Sequence, residues 1–88
     1  MLKREAVIKN TLGIHARPAA SLVKIAGKYK SNITFVKDGI KANGKSIMDL
    51  LMLEADKGSK VEIIVDGEDE KKALEAVIKL VERGFGEK

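Results

Sequence analysis

The sequence predicts an α+β sandwich in which one layer of helices covers one β-sheet. Three observations support this fold class. Segments with apolar residues at helical spacing alternate with short strand-like segments, in the order β-α-β-β-α-β-α. An Asp-Gly pair joins two of the strands into a hairpin. The 88 residues include 44% apolar residues, which suits one small core.

The first half of the predicted fold contains one strand and one helix. Residues 2–9 form a short strand of mixed polarity, and residues 10–14 form a loop in which Gly13 has unusual backbone freedom. A helix over residues 16–26 follows, because four apolar residues share one face: Ala19, Leu22, Val23 and Ala26. Gly27 ends this helix, with the basic Lys28 and Lys30 just beyond.

A hairpin and a short helix are predicted next. Residues 32–37 alternate between Ile33 and Phe35 on one face and two other side chains on the opposite face, Thr34 and Val36. Asp38-Gly39 connects this strand to residues 40–42. Ser46 begins the helix, with Asp49 at the fourth position of a capping box.

A fourth strand and a third helix complete the predicted order. Residues 55–59 form a turn, and residues 60–66 alternate as a strand with three apolar residues on one face: Val61, Ile63 and Val65. The last helix is acidic at its start, ends near Gly84 and buries Leu74, Val77, Ile78 and Val81. The first strand must pair non-locally, and the fourth strand is its expected neighbour.

The composition limits the classes of function that the chain can have. The chain forms one domain over residues 1–88, contains no cysteine and has one histidine, so thiol chemistry and a histidine-based metal site are excluded. No apolar run approaches the roughly 20 residues that span a membrane, and the N-terminus lacks a secretory signal. We therefore expect a cytoplasmic protein with no membrane insertion and no metal. A monomer without a cofactor is also expected.

The net charge of +4 is unevenly distributed along the chain. The first 48 residues carry a charge of +8 and the remaining 40 carry −4. The basic half contains the single histidine, His15. Such a bias favours acidic partners, which include proteins, phosphate groups and nucleic acid.

His15 lies where the first loop becomes the first helix. In the first helical turn, the amides of Ala16 and Arg17 lack intrahelical acceptors and can bind an anion. Pro18 fits this turn because it has no amide hydrogen to satisfy. Since a residue before proline avoids helical angles, the helix boundary can also fall at Arg17 or Pro18. The simplest alternative role for His15 is that of a polar cap residue.

The surroundings of His15 favour a nucleophile over a simple cap. The helix start and Arg17 both disfavour a protonated ring, so the imidazole is expected to be neutral. Arg17 has the larger influence on a bound phosphate, about 4 kcal/mol for a charge at 4 Å against roughly 0.3–2 kcal/mol from the helix start. Three small side chains leave the ring accessible: Ala16, Ala19 and Ala20.

Two motifs resemble a known family: Gly13-Ile14-His15-Ala16-Arg17-Pro18-Ala19 and Lys45-Ser46-Ile47-Met48-Asp49-Leu50-Leu51. They are similar to the signatures of the HPr family, the histidine-containing phosphocarriers of the bacterial sugar phosphotransferase system. The resemblance covers essentially the whole chain. It implies an open-faced β-sandwich, with a four-stranded antiparallel sheet covered on one face by three helices. It also implies that His15 accepts a phosphoryl group through Nδ1 from phosphoenolpyruvate-charged enzyme I and passes it to enzyme IIA domains of sugar permeases.

The second motif carries a regulatory and a docking prediction. Ser46 is a helix cap, and by the same resemblance it matches a serine that HPr kinase/phosphorylase modifies, with a transcriptional regulator as a further partner. Leu50 and Leu53 are expected in the core. An exposed apolar patch beside His15 is expected from Ile47, Met48 and Leu51. The family's interfaces add Ala20 and Lys24 on the first helix.

Three other classes of function are alternatives to the phosphocarrier. A small basic RNA-binding domain shares the element order, but the only aromatic residues are Tyr29, Phe35 and Phe85, and no aromatic pair lies on adjacent strands. A paralogous phosphorelay protein that regulates nitrogen or carbon metabolism is the closer alternative. An independent enzyme is disfavoured, because no second acid–base group is expected near His15.

Overall fold

The computed structural model describes residues 1–87 and confirms the predicted α+β open-faced sandwich. Lys88, the last residue of the predicted domain 1–88, lies outside the described residues. The element order is β1 (Leu2–Val7), α1 (Ala16–Ala26), β2 (Asn32–Lys37), β3 (Ile40–Asn43), α2 (Ile47–Met52), β4 (Lys60–Asp66) and α3 (Glu70–Glu82), followed by a short turn, Gly84–Gly86.

The four strands form one antiparallel sheet in the order β1-β4-β2-β3. Ala6 of β1 lies opposite Val61 of β4, and Ile33 of β2 lies opposite Val65. The predicted pairing of the first strand with the fourth is therefore confirmed. This pairing brings the loop after β1, which leads to His15, to the end of the sheet where β4 begins.

The hairpin between β2 and β3 also follows the prediction. Asp38 and Gly39 have φ values of 50° and 79°, so both central residues of the turn are left-handed. This geometry matches the right-handed twist of the two strands that it connects. Ile33 and Phe35 are buried, as their alternation with Thr34 predicted.

The core lies between the sheet and the helical layer. Its buried residues come from every strand and helix, and the largest fully buried ones include Phe35, Leu22, Leu50, Leu53, Ile63 and Val77. The predicted apolar face of α3 is buried along its length, with Leu74, Val77, Ile78 and Val81 in the core. In the helical layer, α1 packs against both α2 and α3.

Several element ends differ from the sequence prediction. β1 ends at Val7 instead of Lys9, although Ile8 continues the contact irregularly through bonds with Ser59 and Gly58. The start of α1 at Ala16 settles its boundary ahead of Pro18. Gly27 does end α1, but its φ of −65° is right-handed, so glycine's special freedom is not used there.

The capping box at Ser46 is only half formed. The Asp49 amide donates to Ser46 Oγ at 3.2 Å, as the motif predicts. The Asp49 carboxylate, however, accepts from the amide of Asn43 at 3.0 Å, while the amide of Ser46 bonds to the carbonyl of Asn43. Asp49 is shorter than the glutamate that usually closes this box, and here it ties the start of α2 to the end of β3.

Candidate functional site

His15 occupies the N-cap position of α1, as predicted. Its backbone is extended, with φ of −97° and ψ of −167°, and its side chain makes no capping bond with the described residues. The carbonyl of His15 accepts the amide of Ala19 at 3.0 Å, so the amides of Ala16 and Arg17 lie before the first intrahelical bond. The side chain is 35% exposed, which leaves the ring reachable from solvent.

The loop before His15 is held by a close backbone approach at Gly13. Ile14 donates to the carbonyl of Ala55 at 2.9 Å, and Gly13 has a φ of 66°. A Cβ at this position would lie 2.2 Å from the Ala55 oxygen, so only glycine fits without a shift of the backbone. Gly13 therefore uses the backbone conformation that was predicted for it. Its close approach to Ala55 holds the loop that presents the ring.

The ring of His15 contacts a carboxylate from the other end of the chain. His15 Nε2 lies 3.0 Å from Glu87 Oε1. The same oxygen accepts a 3.0 Å bond from Nδ2 of Asn10, and that Nδ2 also donates to the carbonyl of Gly13 at 2.6 Å. Asn10 is buried, and its two hydrogen bonds link the loop before His15 to Glu87.

The ionisation of Glu87 determines which ring nitrogen carries the proton. The hydrogen bond from His15 lowers the pKa of the Glu87 carboxyl, and the Asn10 bond and the charge of Arg17 act in the same direction. An ionised carboxylate can only accept hydrogen bonds, so Nε2 of a neutral ring must donate. The lone pair of a neutral His15 is then on Nδ1.

The expectation that no second acid–base group lies near His15 is wrong. Glu87 is 72 residues away in the sequence and reaches the site only because the turn after α3 folds back towards α1. The helical periodicity ends before the segment that contains Glu87, so the sequence pattern could not predict that Glu87 lies near His15. The glycines on both sides of Phe85 were the available hint that the chain reverses direction there.

Arg17 lies exposed in the first turn of α1. Its charge reaches Glu87 and lowers the pKa of that carboxyl. Among residues 1–87, no hydrogen bond joins its guanidinium to His15, and no described carboxylate lies within ion-pairing distance of it. The described part of the chain therefore leaves the guanidinium available to an added anion.

The predicted docking residues are placed on neighbouring helices. Ala20 and Lys24 are exposed on α1, and Ile47 and Met48 of α2 are 41% and 68% exposed. Leu51 is less exposed than predicted, because its partly buried side chain packs against the core. Leu12 and Met52 are also exposed apolar side chains, at 71% and 70%, and their exposure was not predicted. Leu50 and Leu53 are buried, as expected.

Two other classes of site find no support in the part of the chain that the structure describes. Its carboxylates and histidine form no group of three that could hold a metal ion. Phe35 and Phe85 are buried and Tyr29 is half-buried, so the described surface offers no aromatic platform for stacked bases. None of the described helices is both long enough and apolar enough to span a bilayer.

Comparison with known families agrees with this geometry. A family model described as the PTS HPr component phosphorylation site matches residues 2–83. The chain belongs to the HPr family. As an HPr-family member it is a phosphocarrier of the phosphotransferase system, and the resemblance seen in the sequence is confirmed.

Relatives in the HPr family share nearly the full length of the chain. The phosphocarrier protein HPr of Xylella fastidiosa strain 9a5c is 41% identical over 87 residues, which cover 99% of this chain and 98% of the relative. The phosphocarrier protein NPr of Proteus mirabilis is 41% identical over 85 residues, or 96% of this chain and 94% of the relative.

Solved HPr-family structures match the fold. HPr of Thermoanaerobacter tengcongensis, 42% identical, superposes with a TM-score of 0.95 over 100% of this chain and 99% of its own. Crh of Bacillus subtilis, described as a catabolite repression protein, is 38% identical with a TM-score of 0.78, covering 96% and 97% of the two chains. That Crh structure is a dimer with a swapped domain.

Proposed function

We propose that His15 accepts a phosphoryl group on Nδ1 from phosphoenolpyruvate-charged enzyme I and passes it to enzyme IIA domains of sugar permeases. The observation that supports this proposal is a solvent-accessible ring whose Nε2 is bonded to Glu87, which leaves the Nδ1 lone pair at the start of α1. The chain is then a carrier with a covalent phosphohistidine intermediate. It turns over only as part of a chain of phosphotransfer proteins.

Two groups are proposed to hold the phosphoryl group. The amides of Ala16 and Arg17 point from the start of α1 and have no intrahelical acceptors, so they can bind phosphate oxygens. The exposed guanidinium of Arg17 adds a full positive charge and can form charge-assisted bonds to the same oxygens. A phosphoryl group carries about two negative charges, so both groups stabilise the phosphorylated state.

Partner proteins are proposed to bind a docking surface that consists of Ala20, Lys24, Ile47, Met48 and Leu51. Its centre is apolar, and Met48 is more exposed than Ile47. Methionine adapts to different surfaces, which suits one carrier that must bind several partners in turn. Lys24 at the rim can attract acidic partners without adding much to the lifetime of the complex.

Ser46 is proposed as a regulatory phosphorylation site for HPr kinase/phosphorylase, with a transcriptional regulator as the partner that binds the modified form. Its hydroxyl caps α2 and its side chain is half-buried, directly before the exposed Ile47 and Met48. Phosphate at a helix start is favoured by the helix dipole, so α2 is expected to stay folded. The added charge would lie beside the docking surface.

The test of the carrier function is transfer of labelled phosphate from phosphoenolpyruvate through enzyme I. We expect His15→Ala to lose all uptake, because no other described side chain offers the same nucleophile. Arg17→Ala should slow uptake by about tenfold or more, the effect of losing a charge-assisted hydrogen bond. The matched control is Arg4→Ala, an exposed arginine of β1, which should transfer normally. Full uptake by His15→Ala would refute the proposal.

A regulatory phosphorelay is the second candidate function. The similarity to NPr of Proteus mirabilis and to Crh of Bacillus subtilis favours it, because both belong to the same family under different names. Competition between donors distinguishes the two functions: a sugar carrier should accept phosphate fastest from enzyme I of sugar uptake. Faster acceptance from a paralogous donor, with no transfer to enzyme IIA of sugar permeases, would favour the regulatory branch.

The domain organisation, the cellular location and the oligomeric state are part of the same proposal. We propose that residues 1–88 act as a single phosphocarrier domain in the cytoplasm, where a phosphoenolpyruvate-dependent donor would be met. The monomeric state stays a prediction, since the related Crh forms a dimer. The described surface lacks an aromatic platform for stacked bases, which disfavours the nucleic-acid alternative.

A further inference from the structure

The chain after α3 forms a strained turn that ends on His15. We call residues 84–87 the C-terminal latch. Gly84, Phe85 and Gly86 have φ values of 63°, 59° and 76°, so three successive residues are left-handed. Phenylalanine rarely adopts this conformation, because its Cβ approaches the following carbonyl oxygen. The buried Phe85 ring holds the turn in place, packed in the core at 7% exposure.

Hydrogen bonds fix the end of the latch to the loop that carries His15. The amide of Glu87 donates to the carbonyl of Gly84 at 2.9 Å, which closes the turn. The Glu87 carboxylate then receives both Asn10 Nδ2 and His15 Nε2, each at 3.0 Å. Because Asn10 is buried and also bonds to Gly13, the latch and the loop before His15 form one connected unit.

We propose that the C-terminal latch makes Glu87 a positioning residue that keeps a proton on His15 Nε2 throughout phosphoryl transfer. The inference rests on the proposed function of His15 as the phosphoryl acceptor and adds a second residue to it. The carboxylate acts through the ring and does not touch the phosphoryl group.

The retained proton helps the accepting step. The lone pair of Nδ1 forms a bond to phosphorus, the bond from phosphorus to the donor atom breaks, and that electron pair stays on the donor. With hydrogen still on Nε2, the ring gains positive charge as the bond forms. The Glu87 carboxylate, 3.0 Å away, interacts more strongly with this cationic ring than with the neutral one.

The same proton helps the delivering step. The bond from Nδ1 to phosphorus breaks, its electron pair returns to Nδ1, and phosphorus bonds to the nucleophile of the next protein. With hydrogen on Nε2, the departing group is a neutral imidazole. Without it, the departing group would be an imidazolate anion, which leaves far less readily. Glu87 therefore favours transfer in both directions without gaining or losing a proton itself.

The test compares Glu87→Ala and Glu87→Gln with Glu75→Gln, a matched change on the exposed face of α3. Nitrogen NMR of the neutral His15 ring should show hydrogen on Nε2 alone in the unmodified protein and in Glu75→Gln. Both Glu87 variants should show a mixture of the two tautomers, because alanine has no acceptor and glutamine can bond to either form. Both should also pass phosphate to enzyme IIA at least about tenfold more slowly.

The outcomes separate this proposal from the carrier function. Unchanged tautomers and unchanged transfer in both Glu87 variants would overturn the role of the latch while leaving His15 as the acceptor. Failure of the unmodified protein to take phosphate from enzyme I would instead refute the carrier function, and the NMR comparison would still decide the tautomer. Thermal unfolding curves show whether Glu87→Ala loosens the fold. Glu87→Gln, which keeps the shape of the side chain, tests the proposal even then.

Discussion

At the scale of single residues, the imidazole of His15 lies among groups of both charge signs. The helix start and Arg17 could be recognised from the sequence, and they led to the prediction of a neutral nucleophile. The carboxylate of Glu87 contacts Nε2 of the ring, and this contact became visible only in three dimensions. The neutral form of the nucleophile stays a prediction. The identity of the protonated nitrogen needed the structure.

Ser46 gives a testable prediction at this scale. We expect Ser46→Asp to reduce the rate of phosphate acceptance from enzyme I, because a negative charge would lie next to the docking surface that begins with Ile47 and Met48. Aspartate is also a good N-cap, so α2 and the fold should be retained. Initial rates of phosphate uptake and the circular dichroism spectrum measure the two effects.

Ser46→Asn is the control for this prediction, since asparagine caps equally well without charge. Normal transfer by Ser46→Asn together with slow transfer by Ser46→Asp would assign the effect to charge. Equal rates in the two variants and the unmodified protein would contradict the regulatory role of Ser46.

At the scale of elements, local signals predicted most of the fold. The Asp38-Gly39 turn, the period of α3 and the start of α1 at the His15 cap are all encoded within a few neighbouring residues. Element ends that depend on distant partners were less predictable. β1 ends where its pairing with β4 becomes irregular. The latch reaches His15 because the chain reverses direction after α3, in a segment that has no helical or strand periodicity to predict its position.

Gly13 supports a prediction about the loop that presents His15. We expect Gly13→Ala to destabilise the protein by well over the roughly 1–2 kcal/mol of left-handed strain, because its Cβ would also clash with the carbonyl of Ala55. Gly39→Ala is the matched control: its φ of 79° is similarly left-handed, but no atom lies within 4 Å of the added carbon. Urea denaturation measures both changes. Equal losses would contradict the proposed close approach at Gly13.

At the scale of the whole molecule, hydrogen-bonded carboxylates join distant parts of the chain. Asp69 accepts from the hydroxyl of Ser31 and from the backbone amides of Lys30 and Ser31, which fastens the start of α3 to the segment before β2. The hydroxyl bond from Ser31, followed by the amide bond from Lys30, lowers the pKa of Asp69. Glu87 similarly connects the segment after α3 to the loop before α1 through its contacts with Asn10 and His15. The hydrogen bond from His15 lowers the pKa of Glu87.

These lowered pKa values predict acid-sensitive stability. A carboxyl with a lowered pKa stabilises the fold above its unfolded value of about 4, and this contribution is lost as the pH falls through the lowered folded value. The free energy of unfolding should therefore decrease from pH 5 towards about pH 2. Asp69→Asn should flatten part of this decrease, and the exposed Asp56→Asn should not. Denaturation at a series of pH values provides the measurement. Parallel curves for Asp69→Asn and the unmodified protein would contradict the role of Asp69.

The uncovered face of the sheet has a practical consequence for experiments on this molecule. Thr34 lies on the middle of that face, since its neighbours Ile33 and Phe35 point into the core. The chain contains no thiol, so a cysteine introduced at Thr34 would be a unique handle for a fluorophore or a sensor chip. Attachment there would immobilise the molecule through the uncovered face of the sheet. His15 and the exposed sides of α1 and α2 would stay accessible to an incoming protein.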